Sequence, residues 1–151
     1  MNLRALLARF LVIAGSLAVV IGALDPMEGA FIIFPGSGMA ALGAYLAQAR
    51  KRKFTYWGFL LLVVALLEMM VISALGGFGG KAPVLRSNWS VLLLLPYPVG
   101  WLMCVVGIRF TLEDLSKGRW GMIYARIWVL VAAGILLTWL VALLAGLLGF
   151  I

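Results

Sequence analysis

The hydrophobic pattern of this chain consists of long apolar runs separated by short polar segments. An apolar run of about 18 or more residues is the usual sequence signal of a membrane-spanning helix. Such runs cover, approximately, residues 5–24, 27–49, 54–76, 89–109 and 122–150. We therefore predict an all-α fold, a polytopic integral membrane protein whose compact bundle of five transmembrane helices forms a single domain over residues 1–151.

The run 54–76 follows four consecutive basic residues and contains one carboxylate, Glu68. A carboxylate at membrane depth costs roughly 2–3 kcal/mol on insertion scales. The ten residues of Phe, Leu, Val and Ile between Phe59 and Ile72 favour insertion by roughly 3–6 kcal/mol in total on the same scale. The apolar contribution is the larger, so this segment is expected to enter the membrane with Glu68 inside it.

Proline interrupts two of the predicted helices. Pro35 begins a Pro-Gly-Ser-Gly stretch in the second run, and Pro96 and Pro98 lie in the fourth. Proline removes a backbone hydrogen bond and clashes with the preceding turn, so we predict kinks at Pro35 and at Pro96/Pro98. One interpretation is a packed kink that brings small residues against a neighbouring helix, and the other is a discontinuous helix that lines a site. The small residues concerned are Gly36, Ala40, Gly43 and Ala47.

Two short motifs predict helix starts in the polar segments. Asp25-Pro26-Met27-Glu28 has the residue types of an N-cap, a first helical position and a capping box, and it predicts a tight hairpin between the first two helices. Thr111-Leu112-Glu113-Asp114 predicts the start of a separate short helix that ends near Gly118. The carboxylates in both motifs are then capping or solvated groups rather than catalytic acids.

The basic residues are distributed unevenly between the polar segments. With the N-terminus in the cytoplasm, ten of the 12 lie on the cytoplasmic side, and Lys81 and Arg86 lie outside. An excess of Lys and Arg in cytoplasmic loops sets the orientation of membrane proteins, so we predict an N-in, C-out topology, in a bacterial inner membrane. Because orientation accounts for the net charge of +7, no nucleic-acid partner is expected.

Composition argues against several kinds of chemistry. The chain contains no His and one Cys, Cys104, within an apolar run. The usual ligands of zinc, copper, haem and iron–sulfur clusters are therefore lacking, and so are His-based triads. We predict a chain that is not an enzyme and that holds no metal and no cofactor.

A candidate site follows from the depth of three unusual residues. Counted at about 1.5 Å per residue, Pro35, Glu68 and Pro96 each lie on the order of 11 Å below the outer ends of their helices. No basic residue lies within the predicted hydrocarbon layer to pair with the Glu68 carboxylate, so this group needs another polar partner there. Tyr97 and Trp101 are four residues apart and share a helix face. The candidate residues are Glu68, Ser37, Tyr97, Pro35, Gly36 and Trp101.

Two functions remain open at this point. The first is a non-catalytic structural or accessory subunit of a larger membrane complex, with Glu68 as a hydrogen-bonding group between helices. The second is a small oligomeric transporter or channel component in which Glu68 and the two interrupted helices surround a polar, proton- or ligand-linked site. The expected partners are membrane lipids, together with other membrane subunits or further copies of this chain.

Overall fold

The computed structural model describes residues 3–24, 29–76, 95–115 and 119–147. These residues form five helices and no strand, which confirms the predicted all-α class. The helices are α1 (Leu3–Gly22), α2 (Ala30–Leu46), α3 (Arg52–Ala74), α4 (Pro96–Leu115) and α5 (Arg119–Leu147).

The first four helices form two antiparallel hairpins, in which α1 packs mainly on α2 and α3 mainly on α4. Nε of Arg4, at the start of α1, donates to the carbonyl of Leu46 at the end of α2 (3.1 Å). Nζ of Lys51, just before α3, lies 3.8 Å from the ring centroid of Phe110 near the end of α4. The two hairpins meet through contacts of α2 with α3 and of α4 with both α1 and α2.

The fifth helix runs antiparallel to α4 and packs along it. Near its start, the indole N–H of Trp128 donates to the carbonyl of Val105 (3.3 Å). Further along, the ring of Trp139 lies beside that of Trp101, with centroids 5.3 Å apart. Large apolar residues on the remaining faces of α5, such as Leu130 and Leu137, are exposed.

Glycines hold the first hairpin together at very short range. They recur every seven residues, at Gly15 and Gly22 in α1 and at Gly36 and Gly43 in α2. A Cβ atom on Gly15 would lie 2.5 Å from the carbonyl oxygen of Gly36, closer than real Cβ atoms approach such an atom. A seven-residue repeat keeps one seam of a helix turned toward its neighbour, so the two backbones stay close along their length.

The second hairpin uses the same device. Gly58 of α3 faces Gly100 and Cys104 of α4, and a Cβ atom on Gly58 would lie 2.6 Å from the amide nitrogen of Cys104. About one turn after Cys104 in α4, Gly107 lies against the backbone of Thr55. Gly100 and Gly107 are again seven residues apart. Both hairpins therefore depend on backbone approach that no larger residue permits.

The second helix is continuous through Pro35, which is exposed on its outer surface. Gly36, Ala40 and Gly43 face α1, because the Cβ of Ala18 and the backbone of Gly15 lie against Gly36, and a Cβ on Gly15 would meet Ala40. The prediction that these small residues pack against a neighbouring helix is confirmed. Ala47, the fourth of that set, is the C-cap of α2.

The end of α4 differs from the prediction. The helix continues through Thr111 as far as Leu115, so the separate short helix starting at Thr111 was a wrong prediction. The Thr111 hydroxyl donates to the carbonyl of Gly107 one turn back (2.8 Å) instead of capping a new helix. At the other end, Pro96 and Pro98 occupy the first described turn of α4.

Some predicted features lie outside the described residues. They are the capping motif at 25–28, the predicted fourth helix before Leu95, and the helix end near Gly118. By length and composition, α1 (20 residues) and α3 (23 residues) are apolar enough to cross a membrane, while α2 and residues 126–141 of α5 are shorter apolar helices. This finding supports membrane association.

The glycine contacts give a matched pair of variants. We expect Gly58→Ala to destabilise the bundle by about 1–3 kcal/mol, because its Cβ must displace backbone of α4. Gly134→Ala, at an α5 position with nothing within 4 Å of a Cβ, should be neutral or stabilising by up to about 1 kcal/mol. Thermal unfolding of the purified variants in mild detergent measures both, and equal midpoints would contradict the role of Gly58.

Candidate functional site

Glu68 lies in the second half of α3, about two turns before the helix ends at Ala74. The residue is half-buried, and its Oε2 atom is buried with no hydrogen-bond partner among the described residues. Ala65 and Ile72, one turn on either side, are buried. A carboxyl oxygen shielded from solvent is costly without a partner, so this position has an unmet hydrogen-bonding requirement within the described part of the chain.

A narrow recess lies between α2, α3 and α4 near this end of the bundle. Its lining is apolar except for one phenol, and it has room for little more than a water molecule. The lining residues are Ala30, Ile33, Phe34, Leu62, Leu66, Met69 and Tyr97. Of the residues predicted for the site, Tyr97 therefore borders the recess, while the Glu68 side chain does not form part of its lining.

The three predicted site residues of α2 point in different directions. Pro35 is exposed. Gly36 packs against α1. Ser37 is fully buried, and its hydroxyl donates to the carbonyl of Phe34 in the same helix (2.8 Å). The described contacts bring none of these residues to Glu68.

Tyr97 and Trp101 form an aromatic cluster with Trp139. The Tyr97 and Trp139 rings are stacked with centroids 6.0 Å apart, and Trp101 lies 5.3 Å from Trp139. The prediction that Tyr97 and Trp101 share a helix face is confirmed by this common neighbour. Sequence reasoning missed Trp139, because nothing local to α5 indicates which of its aromatic residues meets α4.

The indole of Trp101 links α4 to α1. The side chain is fully buried, and its Nε1–H donates to the carbonyl of Val19 (3.2 Å). Val19 lies in the last turn of α1, where carbonyls lack partners further along the helix. The amide of Ala23, one turn on, bonds to Val20 instead. Trp101 thus satisfies a helix-end carbonyl, which is a structural role.

The opposite end of the bundle gathers the basic side chains that have described contacts. Arg4 donates to the last residue of α2, and Nη2 of Arg9 donates to the carbonyl of Leu115, the last residue of α4 (3.2 Å). A cation is favourable at a helix C-terminus, where the unpaired carbonyls carry partial negative charge. Because each arginine caps a helix other than its own, no local sequence pattern predicts these two contacts.

Metal-ligating and nucleophilic side chains are sparse among the described residues. No group of three or more His, Cys, Asp or Glu residues that could hold a metal ion occurs among the described residues. Cys104 is fully buried, with its Sγ 3.9 Å from the carbonyl oxygen of Thr55.

Searches of protein-family models, curated proteins and solved structures found no match to this chain. The described residues form an all-α bundle with an apolar exterior and a basic end, and these features define the class of protein.

The Trp101 hydrogen bond predicts a second pair of variants. Trp101→Phe removes the donor for the Val19 carbonyl but keeps an aromatic ring, so we expect a loss of about 1–3 kcal/mol of stability. Trp57→Phe, at an α3 position that is 59% exposed, should change stability by less than about 0.5 kcal/mol. Thermal unfolding in the same detergent compares the two, and equal losses would contradict the assigned role of the indole N–H.

Proposed function

We propose that this chain is an integral membrane protein with five transmembrane helices and a cytoplasmic N-terminus, in a bacterial inner membrane. Helix length supports this topology. At about 1.5 Å per residue, α2 with 17 residues is on the order of 26 Å long and α4 with 20 is on the order of 30 Å long. Both values are close to the hydrocarbon thickness of a bilayer, about 30 Å.

The outer surface of the bundle also supports a lipid environment. Large apolar side chains are exposed on all five helices, among them Phe10, Phe31, Leu67, Val99 and Leu130. A water-soluble protein of this size rarely exposes contiguous apolar area of this kind. The clustering of basic residues at one end favours placing that end in the cytoplasm, by the same excess of Lys and Arg that orients other membrane proteins.

Within that class, we propose a non-catalytic accessory subunit of a larger membrane complex. The observation that carries this proposal is the close packing of the interior. Backbone contacts at Gly15 and Gly58 close the two hairpins, and the recess beside Tyr97 has room for little more than a water molecule. A transport pathway needs a polar cavity, whereas a packing subunit needs apolar faces such as the exposed sides of α3 and α5.

The second candidate is a small oligomeric transporter or channel component. It is favoured by Glu68, whose Oε2 atom is buried without a described partner. An ionisable group in a membrane span commonly marks an ion or proton pathway. In the accessory-subunit proposal, the same atom receives a hydrogen bond from a partner helix.

Topology is tested with single cysteines in a Cys104→Ala background. We expect Ala47→Cys, in the turn between α2 and α3, to react with a membrane-impermeant maleimide only after the inner membrane is permeabilised. Gly79→Cys, in the segment between the third and fourth predicted spans, should react in intact spheroplasts. Labelling of both positions from the same side would contradict the proposed topology.

The two functions are separated by co-purification and by Glu68→Gln. For an accessory subunit, the tagged chain should co-purify with other membrane proteins at fixed stoichiometry. Glu68→Gln should preserve that assembly, since an amide still hydrogen-bonds but cannot release a proton. Glu68→Leu should weaken it by about tenfold or more, because the hydrogen bond is lost. Glu113→Gln, in an exposed surface ion pair, serves as the control.

The opposite pattern would favour transport. A homogeneous homo-oligomer that moves protons or a solute in liposomes, and that loses this flux in Glu68→Gln, would overturn the accessory-subunit proposal.

A further inference from the structure

A dense group of cations lies where the turn between α2 and α3 leads into the first two residues of α3, and this segment, residues 50–53, is called the turn below. Arg50, Lys51, Arg52 and Lys53 are consecutive, and all four are exposed. Among the described residues, the one ion pair joins Arg109 to Glu113 (3.1 Å) and leaves these four without an acid partner. Orientation in a membrane requires cations on this side, but it does not require four of them in one ordered turn.

The turn itself is held in place by contacts with α4. Just before it, the backbone passes through a left-handed conformation at Gln48, with φ of 51°. The backbone N–H of Arg50 donates to Oδ2 of Asp114 (2.8 Å). Asp114 therefore anchors the main chain of the turn, while the Arg50 guanidinium has no described acid partner. Among the described residues, one carboxylate is hydrogen-bonded to this segment, which carries four cations.

Two of these cations lie over aromatic rings. Nζ of Lys51 lies 3.8 Å from the ring centroid of Phe110, and the Arg52 guanidinium lies 5.7 Å from that of Tyr45. Cations over ring faces keep their charge available on the open side. Arg4 is adjacent, because its Nε donates to Leu46, at the end of α2 that leads into the turn.

We propose that this turn, residues 50–53 together with Arg4, is a binding surface for the phosphate headgroups of anionic phospholipids. The inference rests on the proposed membrane topology, which puts the turn at the cytoplasmic headgroup layer. Clustered Lys and Arg next to a transmembrane helix bind anionic lipid, and the ordered backbone reduces the entropy lost on binding. The apolar surface that continues directly along α3, at Trp57 and Leu60, contacts the acyl chains of the same lipid.

The test is native mass spectrometry of the intact chain, purified in mild detergent and mixed with equal amounts of phosphatidylglycerol and phosphatidylcholine of matched acyl chains. We expect the wild-type chain to retain phosphatidylglycerol over phosphatidylcholine by about tenfold. In Lys51→Gln/Arg52→Gln/Lys53→Gln, the preference should fall to less than about twofold. Lys51→Arg/Lys53→Arg, which keeps the charges, should retain it.

A charge-matched control removes three cations elsewhere, as Lys117→Gln/Arg119→Gln/Arg126→Gln, and should keep the wild-type preference. An equal loss in this control would assign the effect to net charge and overturn the site, as would an unselective wild-type chain. Displacement of phosphatidylglycerol by an excess of inorganic phosphate would overturn the assignment to a lipid.

Failure of the topology is recognised separately, by alkaline carbonate extraction of cell membranes. Release of the wild-type chain into the soluble fraction would refute the membrane proposal itself. A chain that stays in the membrane fraction but shows no phosphatidylglycerol preference refutes the lipid surface alone.

Discussion

Close approach of helix backbones at glycine is the constraint on which the rest of this structure depends. In both hairpins, the space beside a glycine is filled by backbone atoms of the neighbouring helix, as at Gly15 and Gly58. Lipid supplies no hydrophobic force between helices, so association in a bilayer must come from van der Waals contact and hydrogen bonds. The two hairpins meet through larger side chains, among them Ile33, Leu62 and Trp101.

Backbone carbonyls provide the second set of constraints. Trp101 donates to Val19, Trp128 to Val105, and the arginines near the N-terminus donate to the ends of α2 and α4. Each contact runs from one helix to the main chain of another. A buried indole N–H without an acceptor is costly, so Trp101 and Trp128 favour the helix arrangement that places these carbonyls within their reach. Two described side-chain oxygens, Oγ1 of Thr55 and Oε2 of Glu68, are buried without a described partner.

Much of the fold could be predicted from the apolar runs and their flanking charges. The helices, the glycine contacts of α2 and the shared face of Tyr97 and Trp101 follow from periodicity and residue size. Which candidate residues lie near Glu68 could not be predicted in this way. Equal depth placed Pro35 near Glu68, but depth does not determine rotation about a helix axis, and Pro35 is exposed. The local motif at Thr111 also led to a wrong prediction. The Thr111 hydroxyl donates to the preceding turn, and α4 continues past it.

The sequence by itself determined the solvent-facing chemistry of this protein. In the proposed lipid environment, its apolar runs require helices that satisfy their own backbone hydrogen bonds, and its cations require a polar end. Tertiary structure decided which residues meet. Gly58 packs against Cys104, Arg9 donates a hydrogen bond to the end of α4, and Asp114 accepts one from the backbone of Arg50. These contacts join residues far apart in the chain, and their geometry depends on helix rotation and stagger, which packing of whole surfaces fixes and no local pattern encodes.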